Sequence, residues 1–189
     1  MCLKIEDFEL KMLLDNNFEE NSSDNINSYD NVYLNKSEYQ PSTKIGMKIF
    51  ENNVPIHSSI IISGGGATPI TQNSYVLEND RIFICCGFSI FCLSIPNLKL
   101  EWKTKVDDIT CFEIFKHNDD YIIHGELEIS KINKNGEILW SNSGADIFVT
   151  LHGDNNLVLS ENYISVKDYE NRIYKFDYLG NDLTDMKQF

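Results

Sequence analysis

Apolar residues recur along most of the chain in short runs, and clusters of Asn, Gly and acidic residues separate these runs. From residue 44 onward the runs are rich in Ile, Val, Phe and Tyr, which favours β-strands over helices. KIGMKIF and IHSSIIIS are parted by ENN (51–53), a turn-forming cluster, and so predict a first hairpin. DRIFICCGFSIFCLSI (80–95) is almost wholly apolar and is broken by Gly87, which predicts two adjacent strands at the centre of the core.

The later part of the chain continues this pattern. NDDYIIHGELEISKINKNGEILW (118–140) has a break at Gly125 and a turn at Asn135-Gly136. From Asp146 onward the runs IFVTL, NLVLS, YISVKDY and RIYKFDY are separated by GDNN, EN and EN, which are turn sequences. The sequence therefore predicts a mainly β fold from residue 44 to residue 189.

The first 43 residues differ from the rest of the chain in their residue pattern. Ile5, Phe8 and Met12 lie near helical spacing, and Asp7 can serve as an N-cap, which predicts a short helix over residues 7–16. DNNFEENSSDNINSYDN (15–31) is rich in residues that favour turns and predicts a loop. We therefore expect an N-terminal segment (1–43) with a short helix and an irregular stretch, followed by an all-β repeat domain (44–189).

One phrase occurs twice in the β region. Trp102 is followed six residues on by Asp108-Ile109, and Trp140 is followed six residues on by Asp146-Ile147, so the phrases lie 38 residues apart. A recurrence at this period is typical of stacked supersecondary units. Each Trp is then expected to be a buried anchor between neighbouring units.

Glycines extend the repeat. Gly125 follows Gly87 by 38 residues, and FDYLGNDL (176–183) mirrors INKNGEIL (132–139) with glycine in the same place. The last unit ends in Thr184 where the preceding unit has Trp140, and terminal repeats commonly depart from the other repeats in this way.

The phrase that closes in KINKNGEILW resembles the repeats of β-propeller proteins, particularly the PQQ-like and WD-type blades, over about residues 73–183. The resemblance implies an antiparallel meander of repeated strand units in which the final Trp packs between blades. Two good units and one degenerate unit match, whereas closed propellers usually have at least four blades, so a propeller-like ring and an open stack are both consistent with it. No cofactor follows from the resemblance.

The composition of the chain argues against several classes of function. No apolar stretch approaches the roughly 20 residues that cross a bilayer, and the acids near Met1 do not fit a signal peptide, so we expect a cytoplasmic protein that does not span a membrane. The net charge of -13 argues against nucleic acid as a partner. The odd set of 5 cysteines fits reduced core residues, and neither a metal nor a cofactor is expected.

Catalytic patterns do not emerge from the sequence. The histidines lack metal-binding or catalytic spacing, and adjacent carboxylates such as Asp119-Asp120 point different ways in a loop or strand end. A cryptic hydrolase is thus the weakest of three hypotheses, and a scaffold or subunit of a larger assembly is the second.

The favoured hypothesis is a non-enzymatic protein-binding module, of the toxin-neutralising immunity type, that docks a basic partner such as a nuclease. Acids near the unit junctions would steer that partner into contact. The predicted contact residues are Asp107, Asp108, Asp119, Asp120, Asp146 and Asp154.

Overall fold

A computed structural model describes residues 1–5, 7–34, 42–150 and 156–184. The first sheet has five strands in the order β1-β2-β4-β5-β3, with β3 parallel to β5 and the other pairs antiparallel. It includes strands from both sides of the boundary predicted between residues 43 and 44. Its strands are β1 (Cys2–Ile5), β2 (Phe8–Leu14), β3 (Asn31–Leu34), β4 (Thr43–Glu51) and β5 (Val54–Ser63).

The predicted helix over residues 7–16 is wrong, because this stretch forms strand β2. Leu10 and Met12 are buried while Lys11 between them is exposed, which is the two-residue alternation of a strand. Ile5 and Phe8 do meet, but as opposed residues across the β1–β2 hairpin rather than on successive turns of a helix.

Residues 15–30 are irregular, as predicted, and they lie against the outer face of the first sheet. Phe18 and Tyr29 contact each other edge to face, with ring centroids 5.4 Å apart. The Tyr29 hydroxyl donates a hydrogen bond of 2.7 Å to Asp15 Oδ2, and Lys44 Nζ donates one of 2.7 Å to the Phe18 carbonyl oxygen. Both rings also pack with Ile60 and Ile62 of β5, so the segment is attached to the sheet by its aromatic rings as well as by its backbone.

Three further antiparallel sheets follow in chain order, each a simple meander. The run IFVTL, predicted as a strand, has no strand among its described residues 147–150. The second sheet contains β6 (Tyr75–Glu78), β7 (Arg81–Cys86), β8 (Ser89–Ser94) and β9 (Leu100–Lys105); the third contains β10 (Cys111–His117), β11 (Asp120–Gly125), β12 (Glu128–Asn133) and β13 (Ile138–Ser143); the fourth contains β14 (Leu157–Leu159), β15 (Ile164–Lys167) and β16 (Ile173–Phe176).

The sheets pack face to face in the order in which the chain forms them. Ile84 of the second sheet packs with the first sheet, whereas Phe83 packs with the third, so the second sheet is buried on both faces. Ile122 and Ile129 of the third sheet pack with the fourth. No hydrophobic cluster of the described residues joins the fourth sheet to the first. The prediction of a mainly β fold built from antiparallel strand units is confirmed.

The repeated tryptophans join consecutive sheets. Trp102 Nε1 donates a hydrogen bond of 3.2 Å to the Lys134 carbonyl oxygen in the β12–β13 turn. Trp140 Nε1 donates one of 3.2 Å to the Tyr178 carbonyl oxygen in the turn after β16. Both tryptophans are half-buried rather than fully buried, because each lies over a surface turn. The same contact thus recurs between the second and third sheets and between the third and fourth.

The described residues contain no helix, so none of their elements could cross a membrane as a helix.

Candidate functional site

The connections at one end of the sheets are joined to each other by backbone hydrogen bonds. Gly66 N donates to the Ile109 carbonyl oxygen at 2.9 Å, and Glu126 N donates to the Thr110 carbonyl oxygen at 2.7 Å. Phe148 N then donates to the Glu126 carbonyl oxygen at 2.7 Å, and Tyr169 N donates to the Ile147 carbonyl oxygen at 2.8 Å. We call this end of the molecule the loop end; it comprises residues 64–74, 106–110, 126–127, 144–150 and 168–172.

Asp107 lies within the loop end and is buried. Its Oδ1 accepts hydrogen bonds from Ile109 N and Thr110 N, at 2.6 and 3.0 Å. Its Oδ2 accepts hydrogen bonds from Leu127 N and Glu128 N, at 2.8 and 3.0 Å. The sequence predicts Asp107 as a partner contact. In the structure its carboxylate instead holds the connection between the second and third sheets against the β11–β12 turn.

Asp108 and Asp146 also lie at the loop end, and both are accessible. Asp108 forms an ion pair with Lys105 at 2.6 Å, and 73% of its side chain is exposed. Asp146 forms a longer ion pair with Arg172, at 3.6 Å. These two predicted contact residues remain available to a partner.

The other predicted contact residues do not join them. Asp119 and Asp120 follow β10, whose first residue, Cys111, is at the loop end, so they lie at the opposite end of the third sheet. Asp120 forms an ion pair of 3.1 Å with Lys131. Asp154 lies outside the described residues. The six carboxylates therefore do not form one surface.

A cleft of about 490 Å³ opens at the loop end, where the third sheet meets the 64–74 connection and the residues that precede the fourth sheet. Glu113 and His124 lie on its floor, and Phe148, Val149, Thr150 and Asn156, which precede the fourth sheet, close one side. The lining residues are Pro69, Thr71, Asn73, Phe112, Glu113, His124, Phe148, Val149, Thr150 and Asn156.

A β-bulge places two of these residues in the cleft. The pairing of β10 with β11 shifts between Cys111 and Glu113. Cys111 and Ile114 therefore both pack toward the second sheet, although strict alternation would put them on opposite faces. Phe112 and Glu113, between them, both line the cleft.

Hydrogen bonds on both carboxylate oxygens fix Glu113. His124 Nδ1 lies 2.8 Å from Oε2, and Asn73 Nδ2 donates to Oε1 at 3.0 Å. Burial raises the pKa of this carboxyl group, but the hydrogen bonds from His124 and Asn73 and the charge of His124 outweigh burial, so the net pKa lies below its usual 4.5. Glu113 is therefore ionised at neutral pH.

His124 and Asn156 attach the cleft to Phe148, which precedes the fourth sheet, and to β15 of that sheet. His124 is buried, and its Nε2 lies 3.0 Å from the Phe148 carbonyl oxygen. Asn156 Nδ2 donates to the same oxygen at 2.7 Å and to the Lys167 carbonyl oxygen at 3.1 Å. The cleft floor is thus a continuous polar network, which limits the conformations that Glu113 can adopt.

The lowered pKa of Glu113 predicts a pH dependence. A carboxyl group whose folded-state pKa is lowered stabilises the fold above its unfolded-state pKa, and that stabilisation is lost as the pH falls through the lowered value. We expect Glu113→Gln to unfold more easily than the native chain at about pH 6, with the difference shrinking as the pH falls below the usual carboxyl range and through the lowered pKa of Glu113. Urea unfolding at a series of pH values measures this, and a difference independent of pH would contradict it.

The buried cysteines offer no competing site. Burial raises the pKa of the Cys85 and Cys86 thiols well above the usual value, and burial with the charge of Glu101 raises that of Cys92 to about 12. Such thiols stay protonated at neutral pH and are poor nucleophiles and poor metal ligands. Among the described residues, no group of three or more His, Cys, Asp or Glu side chains is placed to hold a metal ion.

The sequence alone does not reveal the cleft as a site. His124 lacked a catalytic spacing, and Glu113 and Asn73 lie 40 residues apart in the chain. The local signal is Phe112-Glu113 beside Cys111 at a strand start, but only the bulge brings the aromatic and the acidic side chain to one face.

Comparisons with known proteins give a likeness of fold only. No protein-family model matches the chain, and no curated protein matches it in sequence. Among solved structures, the computationally designed Ika4 protein is 12% identical at a TM-score of 0.48, over 67% of this chain and 81% of that one.

Two natural proteins show a similar level of likeness. BamB from Moraxella catarrhalis is 13% identical at a TM-score of 0.47, over 79% of this chain and 50% of its own. The AfRom2 CNH domain is 14% identical at 0.46, over 74% of this chain and 46% of its own. This chain therefore spans about half the length of these two structures. At such TM-scores the likeness is confined to the general course of the chain.

Proposed function

We propose that this protein is a non-enzymatic, cytoplasmic binding module that docks a basic protein on its loop end. We further propose that the partner is a toxin domain, such as a nuclease, which the module neutralises in the manner of an immunity protein. Its sheets would act as blade-like units of an open stack that hold the loop end in a fixed shape.

The observation that carries this proposal is the row of backbone hydrogen bonds that ties the loop-end connections together. A binding surface that is already ordered loses little conformational entropy when a partner docks, so more of the contact energy appears as affinity. Asp107 supports the same surface from within, through four hydrogen bonds to backbone amides.

Charge supports a basic partner. The chain has a net charge of -13. Among the described residues at or beside the loop end, acids that are at least partly exposed outnumber the bases Lys44, Lys105, Lys167 and Arg172. Negative potential on one surface raises the association rate of a cationic partner at low ionic strength. In the described part of the chain, these acids are Asp108, Glu113, Glu126, Glu128, Asp146 and Glu170.

Matched charge substitutions test the position of the surface. Asp108→Asn with Asp146→Asn removes two loop-end charges, and Asp119→Asn with Asp120→Asn removes two charges from the opposite end. We expect the first pair to slow association with the captured partner by about tenfold or less at low salt, and the second pair to leave it nearly unchanged. Partners would be captured by pull-down from the source cell, and stopped-flow association at low and high salt measures the effect.

Three outcomes would contradict the proposal. They are an acidic or uncharged partner, equal effects of the two charge pairs, and association that does not depend on salt. Rescue of cells from a co-expressed toxin would support the immunity role, whereas a constitutive partner that is not toxic would favour a subunit of a larger assembly.

A further inference from the structure

We propose that the cleft binds one arginine side chain, whose guanidinium group pairs with Glu113. This inference rests on the proposed function, since it names the side chain that a basic partner would insert at the loop end. It concerns the cleft alone and can be tested without the partner.

The carboxylate of Glu113 provides the charge and the geometry. Each of its oxygens has one hydrogen-bond donor in the free protein, His124 on Oε2 and Asn73 on Oε1. A carboxylate has about four acceptor positions, so one remains on each oxygen. Glu113 keeps 21% of its side chain exposed, where it lines the cleft. In the inferred complex, one guanidinium donates an N–H to each of these two remaining positions.

A guanidinium fits this arrangement better than an ammonium. Its N–H donors form a rigid planar fork that matches both oxygens of a carboxylate, whereas the ammonium of lysine is a single point charge. The network of His124, Asn73 and Asn156 holds the carboxylate in place, so little ordering is required on binding. Phe112 in the wall adds an aromatic surface, against which arginine packs more readily than lysine.

The walls of the cleft match the remaining parts of an arginine side chain. Pro69 and Val149 offer apolar surface to the methylene groups, and Thr71 and Thr150 are polar. The cleft volume of about 490 Å³ lies within the range of small-ligand sites, so an arginine side chain does not fill it completely.

The test uses a neutral-ended probe, N-acetyl-L-arginine amide, titrated into the isotopically labelled protein and followed by NMR. We expect saturable shifts confined to the cleft, including the Asn73 side-chain amide and the His124 ring. The corresponding lysine amide should bind more weakly, and the citrulline amide, which has the shape but no charge, should bind at least about tenfold more weakly, because it lacks the charge-assisted hydrogen bonds.

Two variants accompany the titration. Glu113→Gln should abolish the arginine shifts, while Asp108→Asn, which removes one accessible charge from the same end, should retain them. If Glu113→Gln alters the folded spectrum, Phe112→Leu provides a second variant, which should reduce the preference for arginine over lysine.

Equal binding of citrulline and arginine would overturn the inference. So would arginine shifts that persist in a folded Glu113→Gln variant, or shifts spread over many surface carboxylates. Partner capture distinguishes this inference from the proposed function. If a partner docks on the loop end but the cleft does not bind arginine, only the inference is refuted. If the cleft binds arginine but no partner docks on the loop end, only the proposed function is refuted.

Discussion

Replacing Asp107 by asparagine is expected to lower the free energy of unfolding by about 3 to 5 kcal/mol. The carboxylate accepts from two backbone amides of its own connection, those of Ile109 and Thr110, and from two of the next sheet, those of Leu127 and Glu128. An asparagine side chain has one oxygen, so its NH₂ group would face one of these donor pairs. Two charge-assisted hydrogen bonds are lost, and two N–H groups are left facing another donor.

Asp108→Asn is the matched control, because it makes the same chemical change at the adjacent residue. The Asp108 side chain is exposed, and a surface ion pair such as the one it forms with Lys105 contributes about 1 kcal/mol or less. Urea unfolding of both variants measures the difference. Similar stability losses in the two would show that the four amide contacts of Asp107 do not hold the sheets together.

Gly136→Ala is expected to lower the free energy of unfolding by about 2 to 4 kcal/mol. Gly136 has a φ of +82°, where an alanine is strained. A Cβ at this position would also lie 2.5 Å from Cε3 of Trp102, which packs over the turn. The two costs have different origins and can be separated.

A double-mutant cycle separates them. Trp102→Ala alone should cost about 2 to 3 kcal/mol, since the half-buried ring loses its packing. In that background Gly136→Ala no longer meets the ring, and it should cost only the backbone strain of about 1 to 2 kcal/mol. Chemical unfolding of the four proteins gives the coupling energy.

The cycle can be repeated at the next interface. Gly180, with a φ of +90°, lies against Trp140 in the same way. Additive losses at both interfaces would mean that the tryptophans do not rest on these turns.

The strands were predictable because their turns use residues with specific backbone preferences. Asn52 and Asn53 take positive φ values in the β4–β5 hairpin, and Gly87, Gly136 and Gly180 do so in later turns. These residues punctuate the sequence where the chain reverses. The helix prediction failed because a hairpin, not a helical turn, brings Ile5 and Phe8 together. Their spacing resembles that of a helix, but the two residues lie on the paired strands β1 and β2.

The site was less predictable, because adjacent residues have different environments. Asp107 is buried and Asp108 is exposed, yet nothing in the local sequence distinguishes the two carboxylates. Strand direction separates Asp119 and Asp120 from the loop end, and this becomes visible only once the pairing is known. The Phe112-Glu113 bulge shifts the alternation by one residue, so a regular two-residue pattern assigns these side chains to opposite faces.

The tryptophan contacts have a consequence for the order in which the protein can fold. Trp102 binds a turn 32 residues further along the chain, and Trp140 binds one 38 residues further along. The second and third sheets are thus each coupled to the sheet that forms just after it, and these couplings run between nearest neighbours along the chain, as in repeat proteins. During synthesis the ring of each tryptophan stays uncovered until the next turn emerges. A nascent chain that has left the ribosome only as far as the third sheet would have its Trp102 contact formed, with Trp140 still exposed to solvent or to a chaperone.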